Sequence, residues 1–146
     1  MPLEDWRTGP LYSIREAARL AGVSPATVKR WIQGYQTVGG QRAPVFGDPI
    51  ETPLVSFLQL AEIITASGFR RKSVTLERVR AAHRVAQREM GIEYPFATLN
   101  LEAFTGHILH ITEPNNPWVA VAVLDTPGKY TLPGLVRQVL RTFDYE

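Results

Sequence analysis

Apolar positions along this chain recur at helical spacing through most of its length and crowd into strand-like runs near its end. Ile14, Ala17, Ala18 and Ala21 share one side of a helix. The Ser13-Ile14-Arg15-Glu16 run has capping-box spacing, so the helix is expected to begin at Ser13, with Tyr12 as the staple residue before it. Gly22 permits the reversal that ends it, and Ser24-Pro25 starts a second helix with a hydroxyl cap followed by a proline whose missing amide does no harm there. That helix runs to about Gln33 and is closed by Gly34. Val23, Thr27, Val28 and Trp31 pin it against the first helix, Ala17 and Ala18 let the backbones cross closely, and Lys29, Arg30 and Gln33 are left for the outer surface. Two short helices joined by a tight turn have the geometry of a helix-turn-helix.

Gly39-Gly40 lies between Tyr35-Gln36-Thr37-Val38 and Ala43-Pro44-Val45-Phe46, which predicts a hairpin with Arg42 at or near its tip and Pro44 confining its strand to an edge. Such a hairpin would be a wing beside the helix-turn-helix. Thr52-Pro53 repeats the cap-plus-proline device and predicts a helix that buries Leu54, Phe57, Leu58, Ala61 and Ile64, with Ile63 a further candidate, and ends near Gly68-Phe69. Thr75 caps the next, in which Leu76, Val79, Ala82, Ala86 and Met90 recur at helical spacing until Gly91 and Pro95. Gly106-His107-Ile108-Leu109-His110-Ile111 and the run from Trp118 to Leu124 read as strands around a turn-rich segment, and Leu132, Leu135, Val136, Val139 and Leu140 mark a last helix. The expected fold is mainly α with small β elements: a winged helix-turn-helix over residues 1–50, a helical region over 51–92 packed on it, and a small α+β dimerisation or partner-binding region over 93–146.

A chain of 146 residues with 45% hydrophobic and 21% charged residues can bury one core, so disorder is not expected. Cysteine is absent, which removes disulfides and cysteine-based metal sites and agrees with a reducing compartment. No apolar stretch reaches the roughly 20 residues of a membrane span and the acidic start is not a signal peptide, so a cytoplasmic address is expected. A net charge of +2 does not identify a nucleic-acid binder, but its distribution is uneven. Between Arg70 and Met90, the residues Arg70, Arg71, Lys72, Arg78, Arg80, Arg84 and Arg88 stand against Glu77 and Glu89. Arg70, Arg71, Lys72, Arg80 and Arg84 therefore form a candidate phosphate-facing or partner-facing patch, the alternative being the solvated side of an ordinary helix.

The run from Tyr12 to Trp31, Tyr12-Ser13-Ile14-Arg15-Glu16-Ala17-Ala18-Arg19-Leu20-Ala21-Gly22-Val23-Ser24-Pro25-Ala26-Thr27-Val28-Lys29-Arg30-Trp31, resembles the helix-turn-helix of MerR-type transcription factors. With Gly34-Tyr35 and the Gly-Gly hairpin, the chain more specifically resembles the N-terminal part of VapB-like antitoxins, and more loosely so through Leu58, Gly68 and Glu77-Arg78-Val79-Arg80. The resemblance implies binding to the protein's own promoter and neutralisation of a PIN-domain ribonuclease toxin. It implies a recognition helix over residues 24–31, with Thr27, Lys29 and Arg30 facing bases or phosphates and Arg42 in the wing. Ser24 and Gln33 complete the candidate DNA-binding set. Ala26 stands where MerR relatives often carry arginine, which thins the contacts. The chain also lacks the long C-terminal coiled-coil helix of MerR dimers, so their dimerisation and DNA distortion do not carry over. In the VapB-like relatives a further small domain commonly begins close to the position of Asp144-Tyr145-Glu146.

Other chemistry finds little purchase. His107 and His110 are three apart in an expected strand and so point to opposite faces, which argues against a metal pair. His83 is expected to be partly buried or part of the basic surface, and Asp144 and Glu146 lack a histidine or metal-ligand set. Ser24 has a sufficient task as a cap, while Tyr12 and Trp31 fit core packing better than base stacking. Trp118 fits either core or a subunit interface. No catalytic residue, metal or cofactor is expected. The leading reading is a homodimeric regulator that binds specific double-stranded DNA, an autoregulating antitoxin of a type II toxin-antitoxin system. The competing class is a protein-interaction module that grips a toxin without reading DNA, and a third reading is a regulator that answers to a small molecule.

Overall fold

The computed structural model describes residues 6–50, 53–99, 101–104, 107–110, 121–123 and 130–131. The expected strand residues from Trp118 to Ala120, the last helix around Leu132–Leu140, and Asp144 and Glu146 lie outside the described residues. What is described is mainly α with small β elements.

The first element, β1 (Tyr12–Ser13), leads straight into α1 (Ile14–Ala21). Ser13 caps that helix through a full capping box: its hydroxyl accepts from the Glu16 amide at 3.1 Å and its own amide donates to Glu16 Oε1 at 3.2 Å. The Ser13 amide, followed by its hydroxyl, holds the Glu16 carboxyl below its ordinary value. Gly22 at φ 73° turns the chain out of α1 in the left-handed region. In α2 (Pro25–Gln33), the Ser24 hydroxyl accepts from the Thr27 amide at 3.1 Å. Ala17, Ala18 and Ala21 of α1 meet Val28, Trp31 and Ile32 of α2 in the core, Ile32 being a fully buried residue beyond those expected.

A hairpin follows, formed by β2 (Tyr35–Thr37) and β3 (Gly40–Arg42), paired Tyr35 to Arg42, Gln36 to Gln41 and Thr37 to Gly40. The Gly-Gly pair does mark a hairpin, but its register differs from the expected one. Gly40 belongs to the returning strand, the tip is Val38-Gly39, and Arg42 lies at the helix-proximal end rather than the tip. The reason is Gly34, which turns the chain directly from α2 into β2, and Thr37, whose hydroxyl donates to the Gly40 carbonyl at 2.8 Å and closes the ribbon early. Pro44 therefore lies after the strand, and Val45 and Phe46 enter the core as a buried loop instead of continuing the sheet.

A second correction concerns the next helix. Leu54 and Val55 form β4 (Leu54–Val55), antiparallel to β1, and the helix α3 (Phe57–Arg71) begins later than the Thr52-Pro53 device implies. Its cap is Ser56, whose hydroxyl accepts from the Gln59 amide at 3.1 Å while the Ser56 amide donates to Gln59 Oε1 at 2.8 Å. The later start rotates the buried face to Leu60, Ile63, Ala66 and Phe69, so that Leu54, Phe57 and Ile64 are exposed. Replacing Ser56 by alanine is expected to cost about 1 kcal/mol, read as a lower urea midpoint at unchanged m-value.

Thr75 caps α4 (Leu76–Glu89) as expected, its hydroxyl accepting from the Arg78 amide at 3.3 Å. Val79, Ala82 and Ala86 are buried, but Met90 is exposed because the helix has ended there. Pro95 opens the short α5 (Pro95–Thr98) rather than merely ending α4. The chain then builds a four-stranded antiparallel sheet, β5 (Leu101–Phe104), β6 (His107–His110), β7 (Val121–Val123) and β8 (Tyr130–Thr131), each paired to the next. The two expected strands are its central pair, β6 and β7, and β5 and β8 extend it on either side. One core runs from Ala17 of α1 through Val45, Val55, Ile63 and Val79 to Phe96 and Ile108.

The centre of that core contains a polar knot. Glu62 is 2% exposed and His83 is fully buried. The His83 Nε2–H donates to both Glu62 oxygens, at 3.0 and 2.9 Å, and Glu62 Oε2 also accepts from the Phe96 amide at 3.0 Å. The imidazole packs edge-on against the rings of Phe46 and Phe96, with centroids 5.4 and 5.0 Å away. His83 is thus a tie between α3, α4 and α5, not a member of the basic surface.

Candidate nucleic-acid interface

Helix α2 divides cleanly by side. Val28, Trp31 and Ile32 are buried, while Ala26, Lys29 and Arg30 are exposed and Gln33 is half-buried. Positions 26, 29, 30 and 33 follow helical spacing and form one outward stripe. At its N-terminal end, Ser24 and Thr27 hold each other through their hydroxyls at 2.9 Å, so their polar atoms are already engaged in capping. α1 supports this arrangement: the Ala21 carbonyl at its end accepts from the buried Ser67 hydroxyl at 2.7 Å and from Arg71 Nη1 at 3.2 Å. The angle between α1 and α2 is therefore locked by α3 as well as by packing.

The hairpin continues the stripe. The Arg30 guanidinium carbon lies 5.9 Å from the Tyr35 ring centroid, within reach of a cation–π contact. Tyr35 pairs with Arg42, and cross-strand partners project from the same face of a ribbon. Arg30, Tyr35 and Arg42 are thereby brought to one place, with Lys29 on the same side of α2. Gln36 and Gln41, also paired, are exposed farther along the hairpin. Among the described residues, Lys29, Arg30 and Arg42 have no carboxylate partner. The arginines are legible in the sequence, whereas Tyr35 as the platform between them is marked only by an aromatic residue directly after the helix-ending Gly34.

The basic segment from Arg70 to Arg88 does not stay together. Arg71 is engaged with Ala21 and with the Ser67 hydroxyl at 2.9 Å, and Arg70 donates to the Val74 carbonyl at 3.0 Å. Lys72 is exposed at the end of α3. Arg80 and Arg84 lie elsewhere, on α4, where they line a cavity together with Arg88. Among the described residues, no helix is long and apolar enough to cross a membrane.

The sequence family described as "Putative DNA-binding HTH domain" matches residues 10–83, from just before β1 to the middle of α4. The chain belongs to that family. Among individual relatives, the protein named putative antitoxin VapB45 of Mycobacterium tuberculosis (strain ATCC 25618 / H37Rv) is 34% identical over 80 residues, which is 49% of this chain and 34% of that protein. Uncharacterized protein Rv2308 of the same organism is 32% identical over 91 residues, 61% of this chain and 38% of its own length. The chain thus spans little more than a third of the curated relatives it matches. No solved structure matches it.

Proposed function

We propose that this chain reads specific double-stranded DNA with α2 in the major groove and with the β2–β3 hairpin as a MerR-like wing on the backbone. The observation that carries the reading is the outward stripe of Ala26, Lys29, Arg30 and Gln33, continued through Tyr35 to Arg42, whose cations have no carboxylate partner among the described residues. A recognition helix of this length reaches only a few base edges, and a homodimer on two half-sites supplies the remaining specificity. Membership of a DNA-binding family and likeness to an antitoxin support a regulator, which in this reading acts in the cytoplasm and without catalysis. In this reading it binds its own promoter as the antitoxin of a type II toxin-antitoxin system and neutralises a PIN-domain ribonuclease.

The site residues divide by task. Lys29, Arg30 and Gln33 face base edges. Arg42 meets a phosphate at the foot of the hairpin, and Ser24 and Thr27 act by fixing the start of α2, their hydroxyls being engaged in its cap. A duplex from the region upstream of the protein's own gene is expected to bind in preference to a scrambled duplex, with an affinity that falls as salt rises, because each phosphate contact releases counterions. Fluorescence-anisotropy titrations at several salt concentrations measure both, and equal affinity for the two duplexes at moderate salt overturns the autoregulator reading.

A further inference from the structure

The loop over residues 43–48 leaves β3 and folds across α4. Its backbone is fastened to the last turn of α2, where the Val45 amide donates to the Trp31 carbonyl and the Ile50 amide to the Ile32 carbonyl, both at 2.8 Å. Gly47 sits so close to α4 that a Cβ there would be 2.7 Å from Gln87 Oε1. Between this loop, α4 and the Glu93-Tyr94 turn lies a cavity of about 500 Å³, within the range of small-molecule sites.

Arg80, Arg84 and Arg88 form one wall. They are four residues apart on α4 and therefore share a side. Among the described residues none of them has a carboxylate partner, and the Arg80 Nε is buried without a hydrogen-bond partner. The Arg80 Nε is closed off from the cavity, so an oxyanion there would be met by the terminal guanidinium nitrogens of Arg80 and Arg84, which the described carboxylates leave unpaired. The acidic groups of the lining do not take that place. Glu62 is occupied by His83 and the Phe96 amide. Glu93 stands beside the Tyr94 phenol, which burial, reinforced by that carboxylate, pushes above its ordinary value, so the phenol remains a donor at neutral pH. Asp48 is exposed on the loop.

We infer that this cavity binds a small organic anion through a phosphate or carboxylate group held by Arg80 and Arg84, and that occupancy changes the DNA affinity of the unit formed by α2 and the hairpin. The second half rests on the DNA-binding reading above; the first half does not. The organic part follows from size, since a bare phosphate would leave most of the space unfilled. The link to DNA follows from the loop, which is at once a wall of the cavity and a strap on α2.

Isothermal titration of the full chain with inorganic phosphate, adenosine 5′-monophosphate, glucose 6-phosphate and 2-oxoglutarate separates phosphate from carboxylate recognition. At least one organic anion is expected to bind saturably and more tightly than inorganic phosphate. Arg80→Ala and Arg84→Ala are each expected to weaken it by about tenfold, as for one lost charge-assisted hydrogen bond, whereas Lys72→Ala leaves it unchanged. Thermal unfolding of each variant separates lost binding from lost folding. No saturable binding of any of the four, or equal binding by the Arg84→Ala protein, overturns the site. The anion that binds is then added to duplex titrations. A shift of roughly fivefold or more is expected, with the same factor in the anion's affinity when duplex is present. If anion and duplex both bind and neither alters the other, the link is wrong and the site stands. If no duplex binds, the DNA reading fails while the calorimetry still decides the site. If no anion binds but Arg84→Ala weakens the duplex, the arginines are a DNA-phosphate contact and the inference is overturned.

Discussion

Replacing Glu62 by alanine is expected to cost about 3–5 kcal/mol, because it strips one partner from a buried pair. The carboxylate is 2% exposed and satisfies the Nε2–H of a fully buried histidine and the Phe96 amide at the start of α5. Among the described residues His83 Nδ1 is already buried without a hydrogen-bond partner, so the substitution leaves the imidazole with no partner there at either nitrogen. Such a loss is a large part of the roughly 5–15 kcal/mol that holds a domain together, and should lower the thermal midpoint by roughly 10 °C. A second comparison separates the pair from the space it fills. The double substitution Glu62→Leu with His83→Leu should be less destabilising than the sum of the single ones, since it leaves no orphaned polar group. Urea unfolding of the four proteins gives the coupling, and strict additivity would contradict the structure's account of the knot.

The second large effect is expected at Gly34. This residue ends α2 at φ 77° and ψ 178°, a region almost confined to glycine, and a Cβ there would lie 2.5 Å from the Arg42 carbonyl oxygen. Pro44 Cδ is 3.2 Å away on the same side, so neither neighbour offers a flexible side chain that could yield. Gly34→Ala should therefore lose at least the roughly 1–3 kcal/mol of forced backbone strain and push the hairpin away from the helix. Because Arg30 and Arg42 meet only across Tyr35, duplex affinity should fall even at temperatures where the variant stays folded. Gly39 at the hairpin tip is the control: a Cβ there meets nothing closer than the Thr37 hydroxyl at 3.9 Å, and Gly39→Ala should be close to neutral in both assays.

Local chemistry was readable from the residues, and long-range pairing was not. Ser13, Ser24 and Thr75 cap where they were expected to, because a cap depends on a hydroxyl and an amide three residues on. Ser56-Phe57-Leu58-Gln59 carries the same capping-box signal, but Thr52-Pro53 mimics an earlier start, and a helix begun there has a different buried face from the one α3 has. Periodicity could not repair this, since the true inward face of α3 includes Glu62 and Ser67 and the outward one includes Phe57 and Ile64. The Gly39-Gly40 pair revealed a hairpin without saying which glycine belonged to the turn, and that single step moved Arg42 from the tip to the base. The Glu62–His83 pair joins residues 21 apart on different helices, and nothing local to either marks it. The cavity likewise needs residues 43–48 to fold over α4, a contact that only the tertiary structure supplies.

In the proposed function α2 reads bases while the foot of the hairpin holds the DNA backbone. The most direct measurement of this division is a matrix of equilibrium binding curves for Lys29→Ala, Arg30→Ala and Arg42→Ala against the upstream duplex, point-changed versions of it and random DNA. Lys29→Ala or Arg30→Ala should lose roughly 1–3 kcal/mol on the preferred duplex and little on the others, flattening discrimination, as expected for a lost base contact. Arg42→Ala should weaken every duplex by a similar factor and reduce the salt slope by about 1, as expected for a lost phosphate contact. If Arg42→Ala changes the ratios among duplexes while neither substitution on α2 does, the hairpin is the reader and the assignment of α2 to the bases is wrong.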